Sequence, residues 1–340
     1  MMRPVVIFTM VVILFFVLPI GQSHALVLKI ATLSPEGSSW MRLMRQGGKE
    51  VAQKTNRRVR FKFYPGGVMG SDKAVLRKIS IGQLQGGAVV SGSLSKFFPD
   101  NQIYSLPLKF KSFQEVDYIR KRMDRLIIDG LEKGGFVTFG LAEGGFAYLM
   151  SKMPIETIEE LSGQKVWIPE GDSTSLETLK AFDISPIPLS IADVRAALQT
   201  DMIDTVAISP IGAVVLQWHT QISYLLDVPL MYIYGLLAVH RKAFSKISPG
   251  DKQIVRAIMG RVFSEMDRQN REQNIKARDA LRNQGIKFLK PSDETLSKLY
   301  TMGSLISKRL VETGKLSKDM VNTFEAYLDE YRSGQAHSHE

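Results

Sequence analysis

The stretch SPGDKQIVRAIMGRVFSEMDRQNREQNIKARDALRNQG (248–285) decides the architecture. Ser248 supplies an N-cap, Pro249 the first helical position and Asp251 an acid in the first turn. Ile254, Ile258, Val262 and Met266 keep helical spacing, and Ala277 and Leu281 resume it, so a single helix is predicted. Between the two apolar series, DRQNREQN (267–274) is polar all round for two turns. That is the pattern of a helix crossing solvent between two bodies. About 34 residues at about 1.5 Å each reach roughly 50 Å, enough to touch both.

A chain of 340 residues has room for two such bodies, and its 44% hydrophobic and 23% charged residues are those of a globular protein. The N-terminus differs. Arg3 precedes the apolar run VVIFTMVVILFFVLPI (5–20), and Ser23 and Ala25 stand at the −3 and −1 positions of a cleavage site. Residues 1–25 are read as a secretory leader, and no later run is apolar for long enough to span a membrane. The chain has no cysteine, hence neither a disulfide framework nor a thiol for lipid attachment. An exported protein without an anchor is expected in a Gram-negative periplasm. The net charge of +10 is scattered over helix faces, and no nucleic-acid partner is expected.

From Leu26 the elements alternate between extended and helical. LVLKIATL (26–33), VRFKFYPGG (59–67) and GGAVVSG (86–92) read as strands, and helices begin near Trp40, Ser71 and Ser112, the last with a capping box to Glu115. After Gly134-Gly135 the pattern restarts with extended FVTFGLA and FAYLMSK, then KVWIP (165–169) and IDTVAIS. This alternation predicts an α/β fold built on parallel sheet.

Catalytic chemistry finds little footing. GDSTS (171–175) matches part of a hydrolase nucleophile block, with Ser173 as the nucleophile, but the Asp-x-x-His that would bring its base is absent. Asp172 or Ser173 reads better as a helix cap. No P-loop, Gly-x-Ser-x-Gly or dinucleotide fingerprint occurs, and five dispersed His without Cys make no metal site. No enzyme, cofactor or metal is expected.

Several blocks, in this order, carry a family resemblance: GSSWMRLMRQGGKEVAQKTN (37–56), VRFKFYPGGVMGSDKAVLRKISIGQLQGG (59–87), FFPDNQIYSLPLKF (97–110), PIETIEELSGQKVWIPEGD (154–172) and SPIPLSIADVRAALQTDMID (185–204). Residues 26–330 resemble the substrate-binding subunit of tripartite ATP-independent periplasmic (TRAP) transporters. The resemblance implies a two-lobed α/β binding protein with hinge strands between the lobes and a long helix crossing both. Lobe I would hold 26–144 plus about 233–272, lobe II 145–232 plus about 273–330, and 331–340 would be a flexible tail. It further implies a small-molecule ligand in the cleft and integral-membrane permease subunits, driven by an ion gradient, as partners.

The ligand strand departs from the family. Where most members read Lys-x-Arg-x-Pro and pair that Arg with a substrate carboxylate, KVWIP places Trp167. A second, more variable Arg position falls on Ala147, after Phe146, and an Asn-Pro becomes Ser209-Pro210. Trp167, Phe146, Trp218, Tyr232 and Tyr234 are expected to line an aromatic crevice, though for Trp218 and Phe146 a plain core reading stays open. Ser91, Trp40 and Val68, at C-terminal strand ends of the first lobe, complete the expected set. The ligand is expected to be apolar or aromatic rather than a simple dicarboxylate, or else an acid held mainly by stacking and backbone donors. A module for a sensor or lipid-trafficking assembly, and a Ser173 hydrolase, are the alternatives.

Overall fold

The structure, a computed structural model, describes residues 25–336. The expected leader lies outside the described residues except for its last residue, Ala25. Three parallel strands, β1 (Leu26–Thr32), β2 (Val59–Tyr64) and β3 (Gly86–Val90), are joined by α1 (Ser39–Lys54) and α2 (Asp72–Ser80). Ser38 and Ser71 cap the two helices, each accepting a backbone N–H three residues on. Short 3₁₀ turns at Ser91–Leu94 and Pro99–Ser105 lead to α3 (Phe113–Lys133). Its capping box is a variant: Ser112 Oγ accepts from Glu115 N, but Glu115 Oε2 accepts from Lys111 N rather than from the cap residue.

After β4 (Phe136–Val137), β5 (Ala142–Ser151) runs out of the first lobe. The second lobe follows as α4 (Ile158–Ser162), β6 (Trp167–Pro169), α5 (Ser173–Lys180), β7 (Ile187–Leu189), α6 (Val194–Gln199), β8 (Thr205–Ile208), α7 (Pro210–Val215) and β9 (Tyr224–Leu226). β10 (Met231–His240) returns, and α8 (Arg241–Phe244), α9 (Pro249–Asn283), β11 (Lys287–Leu289), α10 (Asp293–Glu312) and α11 (Lys318–Ala336) complete the chain. The sheet order is β11-β9-β5-β10-β3-β1-β2. It is mixed rather than parallel, because β5 and β10 pair antiparallel with each other and with β8 and β3 respectively. β5 pairs with β10 through Ala147 and with β8 from Tyr148, so a single strand serves both lobes.

α9 is the predicted helix, 35 residues long and capped by Ser248. Val255, Met259 and Phe263 enter the first-lobe core, and Leu281 enters the larger apolar cluster that includes Leu225 and Ile286. The polar stretch between them does not cross free solvent. Asp267 accepts Glu143 N, Asn270 Nδ2 donates to Glu143 O at 2.7 Å, and Asn274 Nδ2 donates to Gly144 O at 3.1 Å. Here the β5–β10 register shifts, leaving β5 backbone for helix side chains to pair. Gly145 has φ +88°, and a Cβ there would meet Asn274 Nδ2 at 2.5 Å.

The end of the chain corrects two expectations. α11 continues to Ala336, beyond the expected start of the tail at 331, and packs on α3 rather than on the second lobe. Phe324 meets Phe110, while Arg332 donates to Glu115 Oε1 and Lys109 O, both at 2.8 Å, which pins the last turns.

Candidate functional site

Trp167 follows directly from the turn after α4, on a strand of only three residues that pairs with β7. Its indole Nε1 donates to Leu189 O at 3.0 Å, and its ring meets Trp218 edge to face at 5.0 Å. Trp218 opens a short 3₁₀ turn, Trp218–Gln221. Both rings line a cavity of about 250 Å³ between the lobes. From the first lobe come Val90, Ser91, Gly92 and Gln102; from the second, β6, α5, β8 and β9 contribute. The walls extend into the second lobe past Leu161, Phe182 and Leu226 to Leu299.

Asp172 is the only charged side chain lining this cavity among the described residues. It caps α5 as expected, accepting from Ser175 N at 3.1 Å and Ser175 Oγ at 2.7 Å. Gln102 Nε2, across from it on the first lobe, donates to Asp172 Oδ1 at 2.7 Å. A second bridge, Lys73 Nζ to Glu170 at 2.6 Å, spans the lobes nearby. A second cavity of about 260 Å³ adjoins the first, sharing Val90, Ile191, Ser209, Gly212 and Leu216. Trp40, Asp72 and Glu143 line it, and the Trp40 indole N–H has no partner. Among the described residues no Lys, Arg or His lines either cavity.

The structure therefore brings together Trp167, Trp218, Tyr234, Ser91 and Ser209 around the first cavity, with Trp40 at the second. Ser209 also caps α7. Four expected residues are elsewhere. While Met231, Ile233 and Tyr234 of β10 line the cavity, Tyr232 and Phe146, a cross-strand pair, stand off it. Their rings pack on each other at 5.9 Å, with Phe146 on Phe113 and Tyr232 on Phe110, so both are core. Ala147 is buried in the hinge strand, where its carbonyl accepts Leu230 N. Val68 is 71% exposed at the tip of its turn. The N–H groups of Gly66, Gly67 and Gly70 beside it go to Ser34 O, Thr32 O and Gly67 O, so the turn offers no anion cradle from these glycines.

Among the described residues no histidine is hydrogen-bonded to Ser173. His219 Nδ1 meets Ala213 O and His240 Nδ1 accepts Lys242 N, so neither bonds a serine.

Asp72, which is not singled out in the sequence, lines the second cavity at the start of α2. Its Oδ2 accepts Ser93 Oγ at 2.8 Å and Val90 N at 3.2 Å. Burial pushes its carboxyl from 3.8 up to about 6, with those two hydrogen bonds pulling the other way. Its folded value lies above its unfolded one, so the stability it contributes is present at low pH and is lost as pH climbs between these values. Asp72→Asn keeps an acceptor for both bonds and has no charge to bury. We expect it to be about 1–2 kcal/mol more stable than the parent near pH 7.5 and level with it near pH 4, after allowing for the helix N-terminus that favours the charge. Urea midpoints at the two pH values check this.

Residues 30–313 match the model of the bacterial extracellular solute-binding protein family 7, DctP. The chain is 26% identical over 217 residues to YiiZ of Salmonella typhimurium, a match covering 62% of this chain and 65% of that protein. It is 22% identical over 252 residues to the sialic acid-binding periplasmic protein SiaP of Vibrio cholerae, covering 71% and 77% respectively. A TRAP periplasmic solute binding protein of Pseudomonas putida F1, solved with bound D-glucuronate, superposes with a TM-score of 0.80 at 20% identity, over 88% of this chain and 97% of that one. With a family match across most of its length, the chain belongs to the bacterial extracellular solute-binding protein family 7, DctP, and it is a solute-binding protein rather than an enzyme.

Proposed function

We propose that this protein is a periplasmic receptor, exported behind a cleaved leader, that closes on a small ligand with an apolar or aromatic body. It passes that ligand to integral-membrane TRAP permease subunits driven by an ion gradient. The observation that carries the ligand class is the cavity wall: two edge-to-face indoles among aliphatic side chains, with no cation on it among the described residues. The Vibrio relative is named for sialic acid and the Pseudomonas neighbour holds D-glucuronate, both acids. A carboxylate drawn into a dry site without a cation is poorly compensated, which is costly. An apolar body, by contrast, gains about 25 cal/mol for each Å² taken from water. Ligand touching both lobes favours the closed arrangement over the open one, which is the signal a permease can read.

The test is mass spectrometry of whatever the purified protein releases in denaturing organic solvent. The expected result is a stoichiometric compound that partitions into the organic phase. A sugar acid or C4-dicarboxylate released at one per chain overturns the ligand class.

A further inference from the structure

The charged side chains that line the two cavities are all acidic among the described residues. Asp172 lines the first cavity, Asp72 and Glu143 line the second, and no Lys, Arg or His faces either among the described residues. Asp172 has no ion-pair partner there. Its carboxylate accepts three hydrogen bonds, from Gln102 Nε2, Ser175 N and Ser175 Oγ, out of roughly four that a carboxylate can take. It therefore retains acceptor capacity at the end of the cavity where the lobes meet, with the Ser91 hydroxyl on the same wall.

The opposite end is hydrocarbon. Beyond the indoles the cavity is walled by Leu161, Phe182, Leu226, Val228 and Leu299, drawn from four separate segments of the second lobe and α10. At about 250 Å³ it exceeds the engineered apolar cavities of about 150 Å³ that hold a benzene. A site walled by an acid and hydroxyls on one part and by hydrocarbon on another matches a ligand with the same asymmetry.

We propose that the ligand is a single-chain amphiphile. Its hydrocarbon tail enters the second lobe toward Leu226 and Leu299, and its polar end is a hydrogen-bond donor, an alcohol or an ammonium, placed against Asp172. This deepens the receptor reading above and rests on it. A carboxylate head is disfavoured by the same residue, since like charges repel and neither is paired. Gln102 joins the first lobe to Asp172, so the head group sits where closure is sensed.

Calorimetry of the full mature chain, stripped of bound material, with 1-octanol, octylammonium, octanoate and D-glucuronate tests the inference. We expect the alcohol and the ammonium to bind at least about tenfold tighter than octanoate. Asp172→Asn, which retains the helix cap, should weaken octylammonium by about tenfold and 1-octanol by less than about threefold. Leu226→Trp, filling the far end, should abolish binding of all three chain probes; should it not fold, Leu161→Phe serves the same purpose. Octanoate binding as tightly as the alcohol overturns the donor head and leaves the apolar receptor standing. Binding of D-glucuronate alone overturns both. Failure of all four probes, or chain probes indifferent to Leu226→Trp, overturns the placement of the tail.

Discussion

Replacing Arg271 by alanine is expected to cost about 3–5 kcal/mol of stability at neutral pH, because it strands a buried carboxylate. The Glu143 side chain is 0% exposed, and Arg271 grips it through Nε at 3.0 Å while reaching Asp117 Oδ2 at 2.7 Å through Nη1. Burial already raises the Glu143 carboxyl above its usual value, with Arg271 the main influence pulling it down. Without the guanidinium it rises further. The sign follows: a carboxyl raised in the folded state stabilises at low pH and loses that stability as pH rises. The loss should therefore be largest near pH 7.5 and smaller near pH 5, and Glu143→Gln on the Arg271→Ala background should recover about half of it. Tyr232 OH, donating to Glu143 Oε2 at 3.2 Å, remains to satisfy the glutamine. Urea unfolding of the two variants at both pH values measures this; a loss under about 1 kcal/mol, or one independent of pH, would show that the pair is not what ties β5 to α9.

That pair explains why the hinge was only half legible in the sequence. Caps and apolar spacing are local signals, so Ser248, Pro249 and the series from Ile254 to Met266 mark α9 unaided. The polar turns after Asp267 look like a solvated face because periodicity registers polarity but not partners. Their partners, Glu143 and Gly144, lie more than a hundred residues away on a strand whose irregular register leaves backbone groups to be paired. The aromatic residues fail for a similar reason. Tyr232 and Tyr234 look alike in sequence, yet Tyr234 reaches the cavity wall and Tyr232 lies in the Tyr104–Phe110 cluster. A family resemblance places the strand of Trp167, whereas Leu161, Phe182, Leu226 and Leu299 carry no mark in the sequence beyond being apolar. Asp172 reads as a cap in the sequence and is one; that the same carboxylate also lines the cavity, where Gln102 meets it from the other lobe, is a long-range contact that no local signal marks.

Trp167→Ala is expected to lose about 3–5 kcal/mol of stability and most of the affinity for the ligand that the protein carries. The residue is 5% exposed, so truncation removes a large apolar surface and the edge contact to Trp218, itself worth about 1 kcal/mol. One part of the loss is avoided: Leu189 O, which accepts the indole N–H, also accepts Glu170 N at 3.2 Å and is not left bare. This places the expected loss in the lower half of that range. Trp167→Arg separates the two consequences. It should destabilise the free protein comparably, since the guanidinium enters an apolar wall, but Asp172 on the same cavity and any added carboxylate offset its charge. Octanoate should therefore raise the melting temperature of Trp167→Arg more than that of the parent, while 1-octanol should raise it less. Thermal melts of the parent and both variants, with and without each probe, decide the matter. If octanoate shifts the parent and Trp167→Arg equally, then position 167 does not set the charge preference of the cleft, and the indole there is packing rather than selection.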